Sequence, residues 1–162
     1  MADVGIKQFY PDKVTGSSTT QKHTLGILRF EGPNVYRYVY VVDKALTLGD
    51  CVCAASTADG VVTADRSGGS QLALMCRGVA IGAIASGSYG WILKEGVCVV
   101  QCDGGVAAGD GLIPHVSADG HADTVVAASD AAGTEYQIFG FAMTADAGSS
   151  DGDTGVAIIS CK

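Results

Sequence analysis

Two stretches of this chain share one pattern, and that pattern restricts the fold more than any other feature. Gly78-Val79-Ala80-Ile81 is followed by a Gly/Ser loop and then by Gly96-Val97-Cys98-Val99-Val100. Gly140-Phe141-Ala142-Met143 is followed by a loop and then by Gly155-Val156-Ala157-Ile158-Ile159. Brief apolar runs, each introduced by glycine and separated by Asp/Gly/Ser loops, predict strands and tight turns. Glycine costs about 1 kcal/mol relative to Ala inside a helix. With 23 glycines in 162 residues, a helical bundle is excluded.

The acidic residues sharpen this expectation. Of 17 carboxylates, 14 are Asp and only three are Glu (Glu31, Glu95, Glu135). Asp suits turns because its short side chain bonds nearby backbone, whereas Glu favours helices. Five Asp-Gly pairs, at Asp59, Asp103, Asp110, Asp119 and Asp151, fit hairpins and other turns that need positive φ. The expected fold is all-β, a small β-barrel or β-sandwich with short hairpins, an extended N-terminal arm and at most one short helix. Residues 121–132, which lack glycine, are the one stretch that reads as a short helix or a loop.

Length predicts one domain. Residues 1–24, with Phe9-Tyr10-Pro11 and the run Thr15 to Gln21, are polar and aperiodic and read as a flexible arm. Residues 25–162 form the β-rich domain. Its strongest strand signal is Val35-Tyr36-Arg37-Tyr38-Val39-Tyr40-Val41-Val42. Period-two alternation puts Tyr36, Tyr38 and Tyr40 on one face and Val35, Arg37, Val39 and Val41 on the other. Both faces are largely apolar, so the tyrosine face covers either a second layer of this chain or a partner subunit. Further strands are expected at 72–76, 78–84, 91–94, 96–102, 111–116, 136–144 and 154–161. Leu46-Thr47-Leu48-Gly49-Asp50 and Val106-Ala107-Ala108-Gly109-Asp110 each read as a turn delivering the chain into a strand.

Charge narrows the partners. Net charge is −7, with six Lys/Arg against five Asp/Glu in residues 1–50 and four against twelve in residues 51–162. Nucleic-acid binding wants clustered Lys/Arg and is not expected. No stretch resembles a secretory signal or an apolar span of about 20 residues, so neither a leader nor a membrane is expected.

The six cysteines lie at Cys51-x-Cys53, Cys76, Cys98-x3-Cys102 and Cys161. No CxxC occurs, and His23, His115 and His121 lack metal-ligand spacing. They read first as small buried hydrophobes, with a disulfide or a metal as the alternatives. Ser117 with His115 or His121 and Asp119 or Asp123 could be drawn as a triad, but all lie in one turn-rich stretch and read as solvated loop residues. Asp151-Gly152-Asp153 lacks the ligand series of a calcium loop and reads as a hairpin tip. The loop Ser86 to Gly90 lacks the Lys-Ser/Thr of a phosphate cradle. Tyr89 and Trp91 beside it suit either a core or a sugar-stacking platform. No catalytic group, cofactor or metal is expected.

From Leu46 onward the chain resembles the small β-rich decoration (cementing or head-stabilising) proteins of tailed bacteriophages. The likeness is carried by Leu46 to Asp50, Gly78 to Ile81, Gly96 to Val100, Val106 to Leu112, and Gly140 to Ile159, with Tyr36 to Val39 resembling the start of small phage structural proteins. Cysteine at 51, 53, 98 and 102 departs from the pattern. The resemblance implies a non-enzymatic virion protein, made in the host cytoplasm, that binds the capsid exterior as a homotrimer and bridges major capsid subunits. Phe9, Tyr10, Tyr36, Tyr38 and Tyr40 are then the candidate capsid or intersubunit contacts. A carbohydrate-binding or host-adhesion module is the alternative.

Overall fold

A computed structural model describes residues 10–65, 75–115, 118–125, 138–145 and 151–161, apart from the side chains of 151–153. Every regular element among these residues is a strand. In chain order they are β1 (Ser17–Ser18), β2 (Leu28–Glu31), β3 (Asn34–Val41), β4 (Cys51–Ala54), β5 (Val61–Thr63), β6 (Cys76–Ala80), β7 (Tyr89–Asp103), β8 (Gly111–Pro114), β9 (Ala122–Thr124), β10 (Gly140–Ala142) and β11 (Asp151–Ser160).

The alternation in β3 divides its side chains between two cores. Val39 and Val41 join Leu46, Val52, Val62, Ala80, Ile84 and Ile92 in one cluster. Tyr36 and Tyr38 join the other. The first cluster fills a closed barrel, in which pairing runs from β3 through β5, β4, β6 and β7 back to β3. Closure leaves this barrel without free edges. The rest of the chain closes a second circuit of pairing, from β7 through β9, β8, β10 and β11 back to β7. The all-β expectation holds, and β7 belongs to both circuits.

One strand can serve both because its alternation slips. Val35 pairs with Glu95 and Tyr36 with Leu93, so Lys94 has no counterpart in β3. A bulge of this kind moves every later side chain to the opposite face. Before it, Trp91 and Leu93 enter the second cluster, and after it Val100 and Cys102 do. That cluster runs from the outer face of the barrel into the second circuit, where Leu112, Ala122, Phe139, Ala157 and Ile159 complete it.

Three corners of one design set the strand ends. In the first, the Asp50 N–H donates to Thr47 O (3.2 Å), the Gly49 N–H to Ala80 O (2.8 Å) and the Ala80 N–H to Asp50 O (2.9 Å). The corner at Gly109 repeats these bonds with Ala107, Asp110 and Ala142, at 3.1, 2.8 and 2.9 Å. Each Asp also accepts an N–H with its side chain, Asp50 from Thr47 and Asp110 from Ala107. A third corner, Ile84 to Ser88, makes the same backbone bonds with Val41. Gly49, Gly87 and Gly109 have φ of 91°, 75° and 96°, the left-handed region that glycine enters without a side-chain penalty.

Several boundaries differ from the sequence expectation. Residues 91–94 and 96–102 are one strand, because Gly96 (φ 136°) stays in the β7–β11 ladder instead of breaking it. The 78–84 segment ends at Ala80, and Ile84 forms an isolated bridge with Leu46. In the 121–132 stretch, Ala122–Thr124 is strand β9, because its backbone pairs with β8. Residues 126–132, like 72–74 and 136–137, lie outside the described residues.

Gly109 isolates the cost of the corner, since an added Cβ there meets nothing within 4 Å. Gly109→Ala should lower stability by about 1–2 kcal/mol through backbone strain alone. Urea unfolding measures this, and an unchanged midpoint would contradict the strain assignment.

Candidate interaction surfaces

The tyrosine face is covered by this chain's own N-terminal segment. Tyr10 and Val14, with Leu25 and Ile27, pack against the second cluster. Ser17 and Ser18 add a two-residue strand to β7, opposite Gly90 and Tyr89. Residues 10–24, expected as part of a flexible arm, are thus placed by pairing and apolar contact. Tyr36 is 7% exposed and Tyr38 1%, buried within the chain, whereas Tyr10 and Tyr40 are half-buried. Phe9 lies outside the described residues. Of the five candidate contacts, Tyr10 and Tyr38 share one aromatic cluster with Trp91. Tyr10 meets Trp91 edge-on at 5.2 Å and Tyr38 meets it at 5.0 Å, while His23 lies 4.9 Å from Tyr38. Edge-to-face pairs add roughly 0.5–1.5 kcal/mol each beyond their buried area.

A polar latch fixes this segment. The Trp91 indole N–H donates to Asp12 Oδ2 at 2.9 Å, and His23 Nε2 lies 2.8 Å from Asp12 Oδ1. Arg29 donates to the Asp12 carbonyl at 2.6 Å and lies 5.4 Å over the Tyr10 ring. The Lys22 N–H donates to the Tyr38 hydroxyl at 3.0 Å. Trp91 is 1% exposed, so its ring is part of the core and not an open stacking platform. A cleft of about 260 Å³ remains beside the latch, lined by Asp12, Lys13, Ser17, Lys22, Tyr38 and Tyr89 among others.

Burial alone would raise the Asp12 pKa, but donation from Trp91 and then His23 outweighs it and holds the carboxyl below its ordinary value. A carboxylate depressed in the folded state contributes stability that is complete above its unfolded pKa, near 4. That contribution disappears as pH falls through the lower folded value. Asp12→Asn should therefore cost about 1 kcal/mol at pH 7 and less at about pH 2. Urea titrations following Trp91 fluorescence measure the difference. A cost that is the same at both pH values would remove the ionised latch.

All six cysteines, each among the described residues, are thiols rather than disulfides. Cys76 Sγ lies 3.5 Å from Cys51 Sγ and 3.6 Å from Cys161 Sγ, so three segments meet at sulfur. Burial pushes the Cys76 thiol well up. The hydrogen bond to Cys76, with burial, does the same for Cys161, and burial takes Cys98 to about 12. Such thiols are poor nucleophiles. The folded protein should react slowly with a disulfide reagent at pH 8 and release six equivalents on denaturation. Rapid reaction of the folded state would contradict this burial.

Of the residues that suggested a triad, His115 and Asp123 do meet, at 3.8 Å from Nε2 to the carboxylate, but His115 makes closer contacts elsewhere. His115 Nδ1 accepts from the Ala118 N–H at 2.7 Å, and its Nε2 lies 2.6 Å from Asp103. Asp119 pairs with Lys44 at 3.3 Å, and Ser117 lies outside the described residues. The Asp151 to Asp153 stretch is the start of β11 rather than a hairpin tip, its backbone pairing with Asp103 and Cys102 of β7.

What the sequence reading missed is an apolar surface on the second circuit. Val97, Phe141, Met143 and Ile158 are 51%, 55%, 50% and 48% exposed. The available signal was apolar character at both parities of 140–143 and 156–159, the argument already applied to the tyrosine strand.

No protein-family model matches the chain, and no curated protein matches it. Among solved structures, it is similar to the N base of the head fibre gp8.5 of bacteriophage phi29. The identity is 16%, the TM-score 0.47, and the match covers 78% of this chain and 94% of that one.

Proposed function

We propose that this chain is a non-catalytic structural protein of a tailed-bacteriophage virion. It is made in the host cytoplasm, binds the outer surface of the capsid as an oligomer, a trimer, and cements neighbouring major capsid subunits. The reading starts from the sequence likeness to decoration proteins. The observation that carries it is the exposed apolar face of a barrel-based body whose polar side chains serve corners and latches. A monomer working alone in water gains nothing by presenting Phe141, Met143 and Ile158 to solvent. Repetition over a shell would turn modest contacts into firm attachment. With Tyr36 and Tyr38 taken up by the chain's own core, contact with the shell falls to Phe9, to the half-buried Tyr10 and Tyr40 and to other exposed groups.

Incubation with undecorated expanded heads, followed by sedimentation, tests the reading. Saturable co-sedimentation is expected, and its absence at both low and high salt would remove the proposal. A sugar-binding role remains the second reading because Tyr89 borders the cleft beside the latch. Binding on a glycan array that Tyr89→Ala abolishes would favour it over shell attachment.

A further inference from the structure

The exposed apolar residues of the second circuit form ordered rows. Phe141 of β10 pairs with Ile158 of β11, and Ile158 pairs with Val97 of β7. Directly opposed side chains on one face of a sheet lie about 5 Å apart and act as one surface. The next row follows the same course. The Met143 N–H donates to Val156 O at 2.7 Å, and Val156 pairs with Val99. On the far side of Phe141 lies Gly111, where an added Cβ would sit 3.6 Å from Ile138 and 3.7 Å from Val125. Ile138 and Val125 are 45% and 37% exposed, so the apolar surface continues across β8.

We infer that this face is where copies of the chain pack against one another, each turning it toward a common axis. The inference deepens the oligomeric part of the proposed function by naming the surface, and it rests on that reading only for the biological setting.

Three observations select a second copy as the occupant. The first is charge. Each copy carries −7, so copies repel except where charge is missing, and the rows hold no ionisable side chain. The charges nearest one end, Lys94 and Glu95, neutralise each other at 2.6 Å. A basic or acidic partner would be met by complementary charge, whereas an uncharged apolar face is complementary to itself. The second is area. Val97, Val125, Ile138, Phe141, Met143 and Ile158 together leave on the order of 500 Å² of apolar surface in water, high in the range of roughly 300–600 Å² for the largest patch of a monomer. With half-buried Val99 and Val156 and a polar margin, the face approaches the roughly 800 Å² each partner gives to a standard interface. The third is topology. β7, β10 and β11 each have partners on both sides, so the face offers no open edge for an added strand from an extended peptide. It suits a broad, flat, apolar partner, which is what another copy presents.

Sedimentation velocity on the full chain alone, without phage heads, separates this inference from shell attachment. The wild-type protein should sediment as an oligomer at micromolar concentration. Phe141→Asp would bury a carboxylate in the contact and should weaken association more than about 100-fold. Val97→Thr keeps the shape, adds a hydroxyl and should weaken it by about tenfold. Phe30→Asp, at a residue 71% exposed on β2, should leave the sedimentation coefficient unchanged. Circular dichroism checks that each variant is folded. A monomeric wild type would overturn the inference, as would a folded Phe141→Asp that stays oligomeric. A monomeric wild type whose binding to heads is lost in Phe141→Asp would assign the face to the capsid instead, also overturning self-association.

Discussion

Lys94 is the residue of β7 that β3 leaves unpaired, and the second apolar core depends on the slip in alternation it introduces. Without that slip, the side chains following Trp91 and Leu93 into the second cluster would be Glu95, Val97, Val99 and Gln101. Burying Glu95 and Gln101 without partners would cost several kcal/mol. With the slip, Val100 and Cys102 go inside, and Glu95 stays 45% exposed beside Lys94. The bulge therefore lets one strand line a barrel with Ile92 and still cover a second core with its other face. The apolar band on the outside follows directly, because Val97 and Val99 are the residues it turns outward.

Much of this fold was legible in the residues, and the illegible parts share a cause. Asp-Gly content and glycine-led runs identified an all-β chain because those signals are local. The corners at Gly49 and Gly109 were readable for the same reason, as Asp50 and Asp110 bond their own turns. The corner at Gly87 escaped notice, since Ser88 replaces the Asp and only the backbone bonds persist. The continuity of β7 was not readable at all. Glycine at 96 looks like a break, and only the β11 ladder, formed by residues more than 50 positions later, holds it in the strand. The tyrosine face admitted two kinds of cover from sequence, and the choice depended on where Tyr10 and Asp12 dock. No pattern in a polar, aperiodic segment reveals a docking site.

Polar groups in this chain are spent mainly on fastening. Asp12 joins an indole, an imidazole and, through its carbonyl, a guanidinium, and so turns a segment without apolar periodicity into a lid over Tyr38 and Trp91. At the other end of the same cluster, Cys51, Cys76 and Cys161 fill the space between barrel and C-terminal strand with sulfur. Thiols suit this position because they pack as small hydrophobes while tolerating one another at van der Waals distance. Each device joins segments far apart in sequence, which is how a short-stranded protein compensates for the limited strength of any single pair of strands.

The sharing of β7 also governs how load passes through the molecule. Tension applied along β7 from one circuit reaches the other without crossing a hinge, because the covalent chain itself is the connection. The β7–β11 ladder runs from Glu95–Ser160 to Asp103–Asp151, and such tension pulls it lengthwise. Its hydrogen bonds then share the force side by side instead of parting one after another like a zip. A body wired in this way behaves as a tie-rod between its two ends, resisting stretch best along the direction of its longest strand.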